Sequence, residues 1–459
     1  MMKTAESPRD SQRQSRPAFL AELFETLTDR TRRLWGRRDA GSPPVEAPNL
    51  SELAEALLSR RGEASGSAIA AELLAAFDRA DAGARLAFLQ NLAERFGPDA
   101  TRVEQALAAL SRDAGGADAI EALHAASEPR RQELFRRLNL APGGTAALVR
   151  MREECLRHLR DTPALRRVDS DFAHLFSSWF NRGFLGLRHI DWNTPAAVLA
   201  KIIRYEAVHA IQNWDDLRNR LEPTDRRCYG FFHPQLVDEP LIFVEVALTR
   251  AIPDNVADLL DLARQPIAAE DADTAVFYSI SNTQRGLAGV SFGNFLIKQV
   301  VGELKAELPN IRTFVTLSPV PGFATWLAEA RADPALGMLD AEQRIALALL
   351  DEPGWQDDPV RAEALRAPLL AAAATYFLRA RDGRGRVIDP VARFHLGNGA
   401  RLERLDYLGD VSAKGVQQSH GMMVNYLYDL DRIEANHEGF AERGAVAASE
   451  DVRRLLPAA

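Results

Sequence analysis

Cysteine is almost absent: Cys155 and Cys228 are the only two in 459 residues. That excludes a disulfide framework and a cysteine-rich metal site, and it fits a reducing, cytoplasmic setting. No apolar run reaches the ~18 residues that a membrane-spanning helix needs. The opening MMKTAESPRDSQRQSRPAFL lacks the continuous apolar core of a secretory signal. Glu6, Asp10, Glu22 and Glu25 count against an organellar presequence, and the final RRLLPAA is not a peroxisomal address. None of the nine histidines forms an H-x-x-x-H or H-E-x-x-H pair, so no metal site is expected. Excess positive charge is missing too. With a formal net charge of −8, broad binding to nucleic acid or an anionic membrane is not expected.

What is present is ordinary globular material, 46% hydrophobic and 26% charged. At about 100–200 residues per domain the length implies two or three domains. Residues 1–48 read as a disordered or linker segment, with a short amphipathic helix at Phe19–Trp35 and a linker at Gly36–Pro48. From 49 to 175 the pattern is helical throughout. Asn49 with Glu52 resembles a helix-start box before Leu53, Leu57 and Leu58. Ile69, Leu73, Leu74 and Phe77 follow at helical spacing, as do Leu86, Leu89, Ala93 and Phe96 before Gly97-Pro98. This predicts an all-α helical bundle that carries no chemical motif and serves packing or oligomerisation.

Residues 176–459 read as a mixed α/β domain. Strands are expected near 227–233, 241–248, 274–281 and 312–317, alternating with helices near 194–207, 253–262 and 290–306. The apolar run Leu241–Leu248 suits a strand buried on both faces. A helical insertion is expected over about 323–382, with Pro368 opening its last helix.

The densest chemical signal lies in residues 276–322. A β run from Val276 meets the turn Gln284-Arg285-Gly286-Leu287-Ala288-Gly289, then a helix with Phe292, Leu296, Val300 and Leu304 near one face, then a second β run. Strand, glycine turn and helix direct backbone N–H groups at an anion. The turn fits a phosphate-bearing ligand, because glycine lets backbone approach phosphate closely. A tight turn closing a βα unit fits the same residues equally well. Ser318 ends the second β run, where Pro319 stops the ladder and where open α/β sheets bind ligands. A serine satisfying a turn carbonyl also fits. Asp389-Pro390 starts a short helix that Gly397 ends, with His395 in its last turn, where the dipole favours a protonated imidazole. His420 competes with His395 on chemistry alone, while His209 and His233 read as packing or capping groups.

Together these clusters closely resemble the malonyl-CoA decarboxylase family, over roughly residues 176–430. The runs SISNTQRGLAGVSFGNFLIKQVV, TLSPVPGFATWL and FHLGNGARLERLDYLGDVSAKGVQQSHGMMVNYLYDL carry the resemblance. It implies a catalytic domain of the acetyltransferase (GNAT) fold and a helical domain that makes a homo-oligomer, dimer or tetramer. It implies decarboxylation of malonyl-CoA to acetyl-CoA and CO2, with no metal and no cofactor beyond the coenzyme A of the substrate. By motif, Ala288, Gly289, Val290, Ser291, Phe292, Gly293 and Asn294 would meet the coenzyme A phosphates. Ser318, of L-S-P-x-P-G-F, and His395, of F-H-L-x-N-G-A, would be the catalytic pair. On chemistry alone, Asn398 is expected to orient the histidine. Thr316 stands where animal members carry a serine. Two other readings stay open: an acyl-CoA-dependent N-acyltransferase on the same fold, and a catalytically silent acyl-CoA sensor.

Overall fold

The computed structural model describes residues 49–59, 63–112, 116–290 and 296–457. The expected helix at Phe19–Trp35, the linker at Gly36–Pro48 and the site residues Ser291, Phe292, Gly293 and Asn294 lie outside them. The chain divides into two compact units. One holds the chain up to Ser178 together with Arg285–Val290, and the other holds Trp179–Gln284 and Ser291–Ala459. Both expected fold classes, an all-α helical domain and a mixed-sheet α/β domain, are present.

The first unit is built from α1 (Leu50–Leu58), α2 (Glu63–Arg79), α3 (Ala82–Arg95), α4 (Ala100–Arg112), α5 (Ala117–Ser127), α6 (Arg130–Asn139), α7 (Gly144–His158) and α8 (Arg166–Trp179). Asn49 caps α1 by accepting from the Ser51 N–H at 2.9 Å, which satisfies one of the orphan donors of a helix start. The periodic apolar residues Leu53, Leu57, Leu73, Leu89 and Leu92 are all buried. Phe135 stacks on Phe172 with ring centres 4.0 Å apart. Among the charges buried in these layers, Arg131 pairs with Asp171, whose other oxygen accepts from Gln132 Nε2 at 2.6 Å. With both oxygens satisfied, that carboxylate is tolerated in the interior.

Arg285–Val290 packs on α7. Arg152, paired with Asp169 at 2.8 Å, donates from Nη1 to Gly286 O at 2.9 Å. A Cβ on Gly286 would lie 2.0 Å from Val149 O, so only glycine lets the turn lie this close to the helix. Gly286→Ala is expected to cost about 1–3 kcal/mol of stability, read as a lower urea midpoint. An unchanged midpoint would show that the turn yields freely.

The second unit surrounds one mixed sheet: β1 (Gly186–Ile190), β2 (Arg226–Phe232), β3 (Pro240–Thr249), β4 (Thr274–Asn282), β5 (Thr313–Thr316), β6 (Ser318–Pro319), β7 (Arg401–Asp406) and β8 (Met423–Leu427). β1 to β4 form an antiparallel meander, β4 and β5 run parallel, and β8 lies antiparallel to β5, β6 and β7. Its helices are α9 (Ala196–Tyr205), α10 (Trp214–Leu221), α11 (Ala257–Leu260), α12 (Leu296–Glu307), α13 (Phe323–Ala332), α14 (Ala341–Ala346), α15 (Pro359–Leu378), α16 (Pro390–Gly397), α17 (Ala413–Ser419), α18 (Ile433–Arg443) and α19 (Glu450–Arg454). The parallel β4–β5 crossover is made by α12.

Several expectations need correction. Pro368 does not open a helix; it lies inside α15, which starts at Pro359. Asp358 accepts from the N–H groups of Val360 and Arg361 and so supplies the true start signal. The helix expected near 253–262 is the single turn α11, because the backbone leaves helical geometry at Asp261 (ψ 120°). β1, β6, β7 and β8 were not expected, and Pro319, expected to stop the ladder, instead faces Met423 in β6. In β7 only Leu402, Leu405 and Asp406 are buried, and its charges pair along the strand, Arg401 with Glu403 and Arg404 with Asp406.

Candidate active site

A defect in strand pairing opens the site. On β3, Glu245 faces Ser279 and Val246 faces Phe277, so Tyr278 is an extra residue on β4. A bulge of this kind bends the strand that carries it. β4 pairs with β5 only as far as Phe277 and Thr316. The last bond runs from the Leu317 N–H to Phe277 O at 3.0 Å. Beyond it the chain turns towards β8, where Ser318 faces Val424. The gap is a cavity of about 280 Å3, walled by Tyr278, Ile280 and Asn282 on one side and by Leu317, Ser318 and Pro319 on the other. Pro390, Val391, Phe394 and His395 of α16 close it further.

Ser318 and His395 meet in this cavity, with Oγ 3.2 Å from Nε2. Both are nearly inaccessible, at 4% and 3% exposure. α16 forms as its sequence directs: Asp389 accepts from the Ala392 N–H at 2.8 Å, and Pro390 occupies the first turn. On the far edge of the ring, Nδ1 lies 2.8 Å from the Tyr428 hydroxyl. The face of the ring stacks on Tyr426, with centres 4.6 Å apart. Ser318 Oγ donates to Thr316 Oγ1 at 2.9 Å, and Thr316 Oγ1 also accepts from the Tyr426 N–H at 3.2 Å. One assignment of protons satisfies the whole row. Tyr428 donates to Nδ1, Nε2–H donates to Ser318, and Ser318 donates to Thr316.

Burial pushes the His395 imidazole down to about 3. That reverses the protonated state expected from its place in the last turn. A helix end offers a modest attraction, whereas the loss of water around a fully enclosed ring penalises the cation more. The unliganded site therefore holds a neutral imidazole. Burial also holds the Tyr426 and Tyr428 phenols well above their ordinary value.

Tyr428 is the site residue that sequence reasoning missed. Asn398, the expected orienting group, instead donates to Phe394 O at 2.7 Å and closes α16. The available signal was the spacing of Tyr426 and Tyr428, two apart in an apolar run, which puts both phenols on one side of a strand. Tyr428→Phe removes the group that fixes the imidazole tautomer. It is expected to lower kcat about tenfold, the cost of one buried hydrogen bond, with KM nearly unchanged. A kcat equal to the native value would rule out that role.

The other histidines sit elsewhere. His420 is the left-handed cap of α17 (φ 51°) and packs near Phe323 and Trp355. His233 caps a turn by accepting from the Gln235 N–H at 3.2 Å. Of the expected phosphate-binding residues, Ala288 and Val290 donate their N–H groups to Arg285 O and Leu287 O, at 3.0 Å each. Gly289 between them adopts φ 74°, which favours glycine. Over Arg285–Val290 the chain forms a tight turn.

The family model described as the malonyl-CoA decarboxylase C-terminal domain matches residues 183–459, and that of the N-terminal domain matches residues 96–180. Crystal structures of malonyl-CoA decarboxylases from Rhodopseudomonas palustris and Agrobacterium vitis align with TM-scores of 0.86 and 0.85. They are 64% and 58% identical in sequence, over 90% of this chain and 100% of each of theirs. The Anser anser anser protein named mitochondrial malonyl-CoA decarboxylase is 36% identical over 415 residues, spanning 83% of this chain and 82% of that one.

Proposed function

The chain belongs to the malonyl-CoA decarboxylase family, and we propose that Ser318 and His395 are the pair with which it turns malonyl-CoA into acetyl-CoA and CO2. The observation that carries this assignment is their 3.2 Å contact inside a largely apolar cavity at the strand gap.

Loss of CO2 leaves the electron pair of the breaking C–C bond on the α carbon, as an enolate delocalised into the thioester. The thioester itself is the electron sink, so the proposed steps draw on no metal or further cofactor. Backbone N–H groups beside the β4 bulge are assigned to the thioester oxygen, an effect worth about 3 kcal/mol per donor. Ser318 would hold the malonyl carboxylate with its C–C bond out of the thioester plane, so that the bond overlaps the carbonyl π system as it breaks. Apolar walls at Ile242, Val244, Phe277 and Leu317 solvate a localised carboxylate poorly, which favours spreading its charge. His395 then protonates carbon as general acid. A neutral imidazole suffices, because a thioester enolate is a far stronger base than the imidazole N–H requires.

Sequence motif assigns the coenzyme A phosphates to Ala288–Asn294. Self-association, as dimer or tetramer, is assigned to the helical unit, where Leu107, Ile120 and Leu140 are exposed. Two buried free cysteines are compatible with a cytoplasmic setting.

The test is stoichiometric. Purified chain with malonyl-CoA alone should release acetyl-CoA and CO2 in equal amounts. A requirement for an amine would point to acyl transfer, and binding without turnover would point to a sensor.

A further inference from the structure

We propose that CO2 leaves by a rear passage past Val208 and Pro319 while the acyl-CoA still fills the front of the site. The inference rests on the reading of the strand gap as the thioester site. Three cavities of the second unit share walls in series. Val208 and Pro319 line the catalytic cavity. Both also line a constriction of about 10 Å3, together with Gln418 and Met422. That constriction shares His209, Asp410 and Lys414 with an outer cavity of about 660 Å3. Room of about 10–15 Å3 holds one water-sized molecule, and linear CO2 can thread such a neck end-on.

The neck is held open by charged hydrogen bonds. Glu206, 8% exposed, accepts from the N–H groups of Val208 and His209 at 2.8 Å each. It also accepts from the hydroxyls of Ser279 and Ser281 on β4. From α17, Lys414 Nζ donates to Ala207 O at 2.8 Å and to Val208 O at 3.0 Å. The Val208 backbone is therefore tied to the sheet through its N–H and to a helix through its carbonyl. It cannot collapse into the passage without breaking bonds of the stronger, charge-assisted kind.

The chemistry gives such a passage a purpose. Heterolysis produces an enolate and CO2 side by side, and no other reactant takes part. The enolate then has two fates, protonation at carbon or recombination with CO2. An acyl-CoA seated in the front of the cavity would hold CO2 in, and a trapped CO2 favours the backward step. A small apolar molecule crosses Val208, Pro319 and Met422 easily, and the outer cavity, with Asp254, Asp410 and Lys414, is polar enough to fill with water.

Gln418 lines the constriction and not the catalytic cavity. Gln418→Trp is expected to lower kcat several-fold with KM for malonyl-CoA nearly unchanged. The 13C isotope effect on the departing carboxyl should also be smaller than in the native chain, because trapped CO2 recombines with the enolate before it escapes. Val208→Phe narrows the same neck from the other side and should behave alike. Unchanged kcat, or a lower kcat with an undiminished isotope effect, overturns the passage. Full activity in the Ser318 and His395 variants would overturn the site reading itself, a distinct failure. Should neither blocking variant fold, crystals of the native chain under xenon pressure decide. Xenon between Val208, Pro319 and Met422 supports the passage, and its absence there overturns it.

Discussion

His395→Ala is expected to lower kcat about a thousandfold while KM for malonyl-CoA changes little, since a positioned proton donor contributes roughly 10²–10⁴-fold. Its Nε2 is the ring atom that faces Ser318 in the cavity, 3.2 Å from Oγ. Steady-state kinetics decide the matter: a loss carried by KM alone would assign the ring to binding. Because burial holds the imidazole at about 3, the kcat profile should show no limb near the ordinary histidine value of about 6.5. The same burial makes the fold sensitive to acid. The unfolded chain takes up a proton on this ring below about 6.5, whereas the folded chain does so only near 3. The contribution to stability is therefore complete above the first value and is lost as pH falls towards the second, by up to about 1.4 kcal/mol per pH unit. Urea midpoints at neutral pH and about two units lower should fall further for the native chain than for His395→Asn. Equal falls would show that another group carries the acid response.

Ser318→Ala is expected to lower kcat about a hundredfold, the range seen when one oriented donor is removed from a reacting anion. The hydroxyl lies between Thr316 and His395, so its direction is fixed before substrate arrives. The Ser318→Ala, His395→Ala double variant should be little worse than His395→Ala alone, because once proton delivery is the slow step a hundredfold slower C–C cleavage no longer sets the rate. Losses that multiply in full would mean the two residues act on the same rate-limiting barrier.

Much of this site was legible along the chain because local chemistry encodes it. Asp389 and Pro390 specify the start of α16 whatever lies around it, and His395 follows by counting residues. Ser318 was marked by the proline behind it. The illegible parts depend on partners far away in sequence. β8 is recognisable only once β5, β6 and β7 lie beside it, and with β8 hidden, Tyr428 had no visible link to a histidine 33 positions earlier. The protonation state of His395 was misread for the same reason: the helix end is local, but the enclosure that outweighs it is built by distant residues.

That glycine turn has a consequence for any attempt to divide the molecule. Arg285–Val290 is grouped with the helical unit, although β4 precedes it and α12 follows. A fragment beginning at Trp179 would keep the turn but lose both Arg152, which holds Gly286 O, and the Val149 backbone it rests on. Position 178 is therefore a poor place for truncation or gene fusion: the segment beyond it would be separated from the mould that shapes it.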